Sequence, residues 1–378
     1  MRPGSLPDCE PAGDLDAVTV AARLTGLPVR DARIVDRREA VYDPFLPGRR
    51  VELVAASATL TDGRVVAWHA IVKATSGPGL RDARRELAAY RLGIAAPSTT
   101  TRLGAPRLLG WREDPDAVEI WLDVLRDRDA GEWPLERFGF AAGTIARWNA
   151  QWLDRAVPAG FDAQDAWAER HGQPERVTEA VETLEGFRRQ PGARAAMSEL
   201  ADPGFARTQA LIERAPGRIA ELASFPRVLL HHDLVRSNLF AVSARRIAAI
   251  DWEHVGRGPL GVDLAPLVAG SVRRGEASAA ALPDLERLVL RRYATTLREA
   301  GVAAPVVRGV PDAYRLALGL RWHVVLGTIS ASLDPSIARI RGSRPNEPRA
   351  ESLAHLVVLA RYLLEAGDAG PGGRRPAR

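Results

Sequence analysis

The hydrophobic pattern of the chain changes near residue 124, and this change limits the possible folds more than any other feature. Before it, residues 32–42, 49–60 and 65–74 have the apolar and polar alternation that is typical of strands. After it, residues 135–153, 176–189 and 204–223 carry apolar side chains at helical spacing. We therefore expect an α+β fold, with a β-rich N-terminal lobe before a mainly helical C-terminal lobe.

The predicted boundaries place the N-terminal lobe at residues 15–123 and the helical lobe at residues 124–366. The Gly-, Pro- and Arg-rich ends, residues 1–14 and 367–378, are predicted to be disordered tails. Cys9 is the single cysteine, so no internal disulfide can form. No run of about 18 apolar residues and no secretory leader is evident, which favours a cytoplasmic protein without a membrane partner.

The charge of the chain is +5, but the arginines are scattered among acidic residues. No basic block with interleaved aromatic residues occurs, so we expect no nucleic-acid partner. Of the 52 basic residues, Lys73 is the single lysine. A lysine is a compact point charge that suits a tight phosphate site, whereas arginine is a planar fork. The alternative is that Lys73 is a chance survivor of GC-rich codon usage.

Alternation along residues 65–74 predicts that Ile71 and Lys73 share one face of a strand. On the helix predicted next, Glu86 falls within an apolar stripe, where a carboxylate is costly unless it is paired. Lys73 is the candidate partner. The alternative is a solvated Glu86 beside Arg84 or Arg85.

The segment VLLHHDLVRSNLF, residues 228–240, places polar side chains directly after one apolar run and before another. Residues 238–242 and 246–250 predict a β-hairpin, which would bring Asp233, Asn238 and Asp251 together. The oxygens of Asn238 and Asp251 suit Mg²⁺, and Asp233 could accept a proton from an attacking hydroxyl. The alternative is that each acid caps a turn.

This arrangement resembles the aminoglycoside phosphotransferase and choline kinase family, relatives of the protein kinases. His231, Asp233 and Asn238 match its H-x-D-x-x-x-x-N loop, and IDWEHVGRGPLGVDLA, residues 250–265, matches its metal-binding motif. Lys73 and Glu86 look like its strand-lysine and helix-glutamate pair. The resemblance covers residues 30–270 and implies a bilobal, protein-kinase-like fold.

The resemblance also implies roles for individual residues. Lys73 would neutralise the phosphates of ATP, or of GTP as the alternative nucleotide, and Glu86 would position it. Asn238 and Asp251 would hold Mg²⁺, and Asp233 would act on the acceptor hydroxyl. His231 and Asp263 would support the loop. Further residues of the nucleotide site would be Ile71 and, in the segment that joins the lobes, Asp123 and Leu125.

The chain departs from the family pattern at three places. No G-x-G-x-x-G precedes Lys73, so residues 39–50 would cover the phosphates with Gly48 and with Arg49 or Arg50. Val235 stands where Ser/Thr protein kinases have a lysine, which argues against an ordinary protein kinase. His232 replaces the small residue that is usual in the family. Glu253 is either a surface acid or a ligand of a second metal.

The predicted acceptor is the hydroxyl of a small molecule, such as an aminoglycoside-like antibiotic, a sugar or an amino-alcohol. A natural-product precursor peptide is the alternative acceptor. Acidic and tryptophan side chains in the helical region before the catalytic loop could bind it; they are Asp162, Asp165, Glu169, Glu175, Glu179, Glu182, Glu185, Trp133, Trp148, Trp152 and Trp167. The alternative is that these residues are solvated or in the core.

Two rival functions stay open. One is a metal-dependent phosphohydrolase that uses His231, His232 and Asp233 as ligands, and the other is a nucleotide-binding pseudokinase.

Overall fold

The structure is a computed structural model. It describes residues 16–41, 48–94, 102–131, 133–161, 171–193, 195–196, 204–337 and 348–368. The predicted N-terminal tail and residues 369–378 of the predicted C-terminal tail lie outside these ranges. Residues 367 and 368 belong to the last helix, so the start of that tail was predicted two residues too early.

The chain forms two compact units. Unit 1 consists of Met1–Arg128 with Phe240–Val255, and unit 2 consists of Asp129–Leu239 with Gly256–Arg378. Unit 1 is built around a β-sheet and unit 2 is mainly helical, as the α+β prediction requires. The ranges differ from the predicted lobes, because residues 240–255 pack with the N-terminal unit although they follow the catalytic loop in sequence.

The main sheet of unit 1 has five strands in the order β1-β2-β3-β6-β5, all antiparallel to their neighbours. Its strands are β1 (Val29–Val41), β2 (Arg49–Leu60), β3 (Val65–Ser76), β5 (Leu108–Asp114) and β6 (Ala117–Asp123). A turn at residues 61–64 joins β2 to β3. There Gly63 adopts a positive φ of 87°, which a glycine accepts without strain.

A second, three-stranded sheet has the order β4-β9-β8. Its strands are β4 (Leu103–Gly104), β8 (Leu239–Ser243) and β9 (Arg246–Ala249), and β4 pairs with β9 in parallel. The predicted hairpin of β8 and β9 is therefore present, whereas β4 was not predicted. β9 leads directly to Asp251.

In the part of unit 1 that the structure describes, two α-helices accompany the main sheet. Helix α1 (Ala17–Thr25) begins at Asp16, whose carboxylate accepts a hydrogen bond from the Thr19 amide at 2.7 Å. It packs on one face of the sheet, where Val20 joins Val54, Trp68 and Val72 in a buried cluster. Helix α2 (Leu80–Arg91) follows β3 and carries Glu86 on its buried side.

Among its described residues, unit 2 contains helices and one short pair of strands. Its helices of eight or more residues are α3 (Leu135–Ala150), α4 (Pro174–Arg188), α5 (Gly204–Glu213), α6 (Ala215–Leu222), α7 (Leu282–Glu299), α8 (Ala304–Gly319), α9 (Trp322–Leu333) and α10 (Arg349–Asp368). The strands β7 (Arg227–Leu230) and β10 (Gly256–Pro259) pair antiparallel. The catalytic-loop motif begins at the residue after β7.

Small residues let α3 and α7 approach each other closely. A Cβ at Gly139 would lie 3.1 Å from Leu288 Cγ, and a Cβ at Gly143 would lie 3.0 Å from Thr296 Oγ1. These two glycines are four residues apart, so they lie on the same side of α3. Their positions explain why the apolar stripe of residues 135–153 tolerates two glycines inside a helix.

One stretch of unit 2, Ala304–Leu333, is long and apolar enough to cross a membrane by length and composition alone. It comprises α8 and α9, which are separated at Leu320 and Arg321, and 72% of its most apolar window is buried. Mostly buried helices of this kind are also typical of the core of a folded domain.

Candidate active site

Lys73 contacts two carboxylates within unit 1. Its Nζ lies 2.5 Å from Glu86 Oε2 and 2.7 Å from Asp251 Oδ1. Strand β3 places Lys73 on the face opposite to Trp68 and Val72, as the alternation predicts. Glu86 is only 1% exposed, which excludes the alternative of a solvated carboxylate beside Arg84 or Arg85.

The charges of this cluster are set by burial and by mutual attraction. Burial alone would raise the pKa of Asp251, but attraction to Lys73 and Arg49 holds the pKa well below its usual range. Burial would likewise lower the pKa of Lys73, but the two carboxylates raise it. Burial raises the pKa of Glu86 in spite of Lys73, and repulsion from Asp251 adds to the rise. Asp251 is therefore the more acidic of the two carboxylates.

Asp251 is presented by an unusual backbone conformation. Its φ of 67° and ψ of 56° lie in the left-handed region, which non-glycine residues seldom adopt. The turn is held by Trp252, whose Nε1 donates to the carbonyl of Ala249 at 2.9 Å. The short helical segment Trp252–His254 then packs against α2. This packing brings Asp251 to a lysine that lies 178 residues earlier in the sequence.

A second set of charged residues lies in the same unit. Glu253 forms an ion pair with Arg49, and its Oε1 lies 3.2 Å from His254 Nε2. All three side chains are largely buried, with exposures of 10% to 15%. Glu253 is therefore not the surface acid that one interpretation of the sequence expected.

Two of the further residues predicted for the nucleotide site, Asp123 and Leu125, lie at or just after the end of β6. Asp123 is the last residue of that strand, and its carboxylate accepts hydrogen bonds from the Arg107 amide at 2.7 Å and from Arg107 Nε at 3.1 Å. Leu125 follows two residues later and is half-buried. Ile71 pairs with Leu122 across β3 and β6. Nucleotide contact at Ile71, Asp123 and Leu125 stays a prediction.

The catalytic-loop motif lies in unit 2 and is fixed by a buried carboxylate. The amides of His231 and His232 donate to Asp263 Oδ2 and Oδ1 at 3.0 and 2.8 Å. Burial raises the pKa of Asp263 to about 7, although these two hydrogen bonds act in the opposite direction. The Asp233 amide faces His231 Nδ1 at 3.4 Å. His231 and Asp263 thus occupy supporting positions around Asp233.

Asp233 and Asn238 contact each other within the loop. The amide nitrogen of Asn238 donates to Asp233 Oδ2 at 3.1 Å and to the Asp233 carbonyl at 2.9 Å. Because the amide nitrogen is used in this way, Oδ1 is the side-chain atom of Asn238 that can serve a cation. The predicted convergence of these two residues with Asp251 stays a prediction.

An arginine lies close to Asp233 in unit 2. Arg274 Nη2 is 3.8 Å from Asp233 Oδ2, and Arg274 Nη1 donates to Ser237 Oγ at 2.7 Å. Glu276 in turn accepts a hydrogen bond from the Ser237 amide at 3.1 Å. The sequence-based prediction missed Arg274, because it follows Asp233 by 41 residues and no spacing rule connects them.

His232 occupies a position that favours glycine. Its φ is 68°, and its side chain is buried against β10. A Cβ at Gly258 would lie 2.8 Å from His232 Cε1, so the glycine in β10 makes room for the imidazole. This explains how the chain accommodates a bulky residue where the family has a small one.

A buried hydrogen-bond chain supports the strand before the loop. Asn149 Nδ2 donates to the Leu229 carbonyl at 2.9 Å, and Tyr293 Oη donates to Asn149 Oδ1 at 2.8 Å. Asn149 and Tyr293 are fully buried in α3 and α7. The sequence held one signal of this hydrogen-bond chain, which is that the polar Asn149 lies within the predicted apolar stripe of residues 135–153.

The structure describes seven of the eleven predicted acceptor-binding residues, and of these Glu175 and Glu182 are exposed and Trp152 is half-buried. Asp162, Asp165, Trp167 and Glu169 lie outside the described residues. On α4, Glu179 pairs with Arg176 and Glu185 pairs with Arg188 on an exposed surface, which favours the interpretation of a solvated helix face. The tryptophans Trp133 and Trp148 are buried in unit 2.

The described residues give no support to the phosphohydrolase alternative. Across the ranges that the structure covers, no group of three or more His, Cys, Asp or Glu side chains is arranged to hold a metal ion. His231 and His232 instead anchor the loop through their amides. A site with these two imidazoles and Asp233 as its ligands is therefore not formed.

Comparison with known proteins agrees with this architecture. The solved structure of an aminoglycoside phosphotransferase from Alicyclobacillus acidocaldarius matches with a TM-score of 0.52 and 14% identity, over 96% of this chain and 98% of that one. A microcompartment-associated aminopropanol kinase matches with a TM-score of 0.47 and 16% identity, over 93% and 98% of the two chains. An amicoumacin kinase in complex with AMP-PNP, Ca²⁺ and amicoumacin matches with a TM-score of 0.49 and 15% identity, over 93% and 96%.

The first of these similarities confirms the protein-kinase-like fold. A search of curated protein sequences found no match. The profile of the phosphotransferase enzyme family matches residues 65–301, a range that contains Lys73, Glu86, Asp233, Asn238 and Asp251. The chain belongs to the phosphotransferase enzyme family.

Proposed function

We propose that this protein transfers the γ-phosphate of ATP to a hydroxyl group of a small molecule, with Mg²⁺ as the metal. The contact of Lys73 with both Glu86 and Asp251 is the observation that carries the proposal. Burial of a lysine with two carboxylates removes three charged groups from water, and this desolvation costs free energy, so stability of the fold does not explain the cluster. The cluster instead provides a fixed positive charge that can bind phosphates.

Lys73 neutralises the charge of the α- and β-phosphates, and Glu86 fixes the position of its ammonium group. Asp251 and Asn238 are the proposed Mg²⁺ ligands, since each offers a hard oxygen donor. When bound, Mg²⁺ supplies charge neutralisation of the phosphate oxygens. The low pKa of Asp251, which results from Lys73 and Arg49 in spite of burial, keeps that carboxylate ionised for this role.

Asp233 accepts the proton of the acceptor hydroxyl as the hydroxyl oxygen attacks the γ-phosphorus. The new P–O bond forms while the bond from the γ-phosphorus to the bridging oxygen breaks, and ADP leaves with that oxygen. The hydrogen bond from Asn238 to Asp233 Oδ2 supports this role, because it orients the carboxylate. His231 and Asp263 hold the backbone of the loop rather than take part in the transfer.

The surroundings of Asp233 bear on the acceptor. The guanidinium of Arg274 lies within ion-pair distance of the carboxylate, and it reduces the attraction of this carboxylate for a positively charged acceptor. For this reason we place an uncharged hydroxyl compound such as a sugar ahead of a polycationic aminoglycoside or an amino-alcohol. The solvated acids of α4 add no support for a cationic acceptor.

A thermal-shift experiment tests the nucleotide part of the proposal. ATP with Mg²⁺ at about 100 times its Kd should stabilise the protein by roughly 2.7 kcal/mol, and ADP and GTP should be compared in parallel. Release of ADP is then measured with a panel of sugars, amino-alcohols, aminoglycosides and Ser/Thr peptides. Absence of stabilisation by every nucleotide would refute the proposal. Binding without transfer to any acceptor would favour the pseudokinase alternative, and transfer to a peptide would favour the precursor-peptide alternative.

A further inference from the structure

Arg49 lies on the same face of the sheet as Lys73. The register of β2 and β3 pairs Val51 with Lys73 and Arg49 with Thr75. Because side chains alternate along a strand, Arg49 and Val51 point to the same side, and Lys73 lies diagonally opposite Arg49. The neighbouring Arg50 points to the other side, where it pairs with Glu52 at 3.2 Å.

The position of Arg49 is fixed at both ends of the residue. Its side chain is only 15% exposed and forms an ion pair with Glu253, which also lies 3.2 Å from His254 Nε2. Its backbone follows Gly48, whose carbonyl accepts the Ser76 amide at 2.8 Å. Gly48 has a φ of 84°, and a Cβ there would lie 2.4 Å from the Ser76 carbonyl oxygen, so this close approach requires glycine.

The carboxylates around Lys73 outnumber it, so binding of a negatively charged phosphate group beside Lys73 requires a second cation. Lys73 is already shared between Glu86 and Asp251, and Glu253 adds a third carboxylate. Arg49 adjoins this cluster through its ion pair with Glu253, which lies two residues after Asp251 in the sequence. A nucleoside triphosphate carries several negative charges. The sequence before Lys73 has no glycine-rich motif whose backbone amides could donate hydrogen bonds to the phosphate oxygens.

We propose that Arg49 is a second phosphate-binding residue for the nucleotide, and that Glu253 is the positioning residue that holds its guanidinium beside Lys73. This inference rests on the proposed function. Arg49 supplies the donors that the backbone amides of a glycine-rich loop supply elsewhere. The planar guanidinium also suits two phosphate oxygens better than a second ammonium group would.

Titration calorimetry with adenosine, ADP and ATP, in EDTA and in Mg²⁺, tests this role without any acceptor. Arg49→Met should weaken ATP binding by about 10- to 100-fold, because a hydrogen bond to a charged group is lost, and should leave adenosine binding unchanged. Arg49→Lys should give an intermediate loss. Arg50→Met is the matched control, because Arg50 is adjacent but 57% exposed on the opposite face, and its affinities should stay within about twofold of wild type.

Glu253→Gln separates the positioning role from metal binding. In EDTA it should weaken ATP binding in the wild-type background but not in the Arg49→Met background, because its effect passes through Arg49. A loss that occurs only with Mg²⁺ would make Glu253 a metal ligand and would overturn the positioning role. Unchanged ATP affinity in folded Arg49→Met and Arg49→Lys, or an equal loss for adenosine, would overturn the role of Arg49. Failure of the wild-type protein to bind any nucleotide would instead refute the proposed function itself.

Discussion

Replacement of Lys73 by methionine should destabilise the protein strongly, because it leaves two carboxylates without their shared cation. Glu86 is 1% exposed, and its Oε2 lies 2.5 Å from the lysine Nζ. Methionine keeps most of the side-chain volume, so the effect is mainly electrostatic. Removing one partner of a buried ion pair costs about 3–5 kcal/mol. For a unit of this size the loss corresponds to a fall in Tm of roughly 10 °C.

The loss should depend on pH in a defined direction. In the variant, burial and Asp251 raise the pKa of Glu86 with no opposing charge from Lys73. The folded protein then binds a proton more tightly than the unfolded chain, whose glutamates titrate near 4.5. The stability due to the protonated Glu86 is present below that value and is lost as the pH rises toward the raised pKa. Lys73→Met should therefore differ less from wild type at pH 5 than at pH 8.

Thermal and urea unfolding at pH 5 and pH 8, without nucleotide, measure this effect. The double variant Lys73→Met/Glu86→Gln is the control, because it removes one of the two carboxylates that the single variant leaves unpaired. It should recover most of the lost stability at pH 8. A single variant less than about 1 kcal/mol below wild type at both pH values would refute the reasoning, as would a double variant no more stable than the single one.

Three further predictions concern the loop in unit 2 and its surroundings. Asp233→Asn should lower turnover by roughly a hundredfold or more while the Kd for ATP stays unchanged, which ADP-release assays and calorimetry can measure. Gly258→Ala should lower stability by about 1–3 kcal/mol in urea unfolding, because its methyl group would lie 2.6 Å from Leu230 Cδ1 and 2.8 Å from His232 Cε1. Gly217→Ala, where nothing lies within 4 Å, should be neutral or stabilising. Because burial raises the pKa of Asp263 to about 7 from 3.8, the stability due to its protonated form should be lost as pH rises through 7, and Asp263→Asn should flatten that slope in melts from pH 5 to 8.

Each of these predictions has an outcome that contradicts it. Near-normal turnover in Asp233→Asn would remove that residue from proton transfer. Equal stability of the Gly258→Ala and Gly217→Ala variants would show that Leu230 and His232 can move at little cost. An unchanged pH dependence in Asp263→Asn would place the responsible titration on another group.

The sequence was sufficient to predict those parts of the site that depend on local periodicity. Strand alternation put Lys73 opposite the core residues of β3, and helical spacing put Glu86 on the buried side of α2. Because an unpaired buried carboxylate costs free energy, the nearby Lys73 is then the expected partner of Glu86. The contact at 2.5 Å follows from these two local patterns and from the short connection between the elements.

The remaining features depend on distant residues that no local pattern connects. Arg49 meets Glu253, and Asp233 meets Arg274, only because the folded chain brings separate elements together. The assignment of residues 240–255 to unit 1 has the same origin, since β9 pairs with β4, a two-residue strand too short to produce an alternating pattern. The left-handed backbone conformation of His232 could not be predicted from the sequence either, because a histidine does not by itself indicate a positive φ.

The geometry also accounts for the use of a single lysine in a chain that otherwise uses arginine. Two carboxylates from different elements, on α2 and after β9, approach one nitrogen atom at 2.5 and 2.7 Å. A tetrahedral ammonium group can direct separate donors to both carboxylates, whereas a guanidinium presents its donors in one plane and needs more space. Arg49, the first residue of β2, pairs with the carboxylate of Glu253, and a planar guanidinium suits such a pair. The choice between the two cations therefore follows from the number and direction of the carboxylates that each must serve.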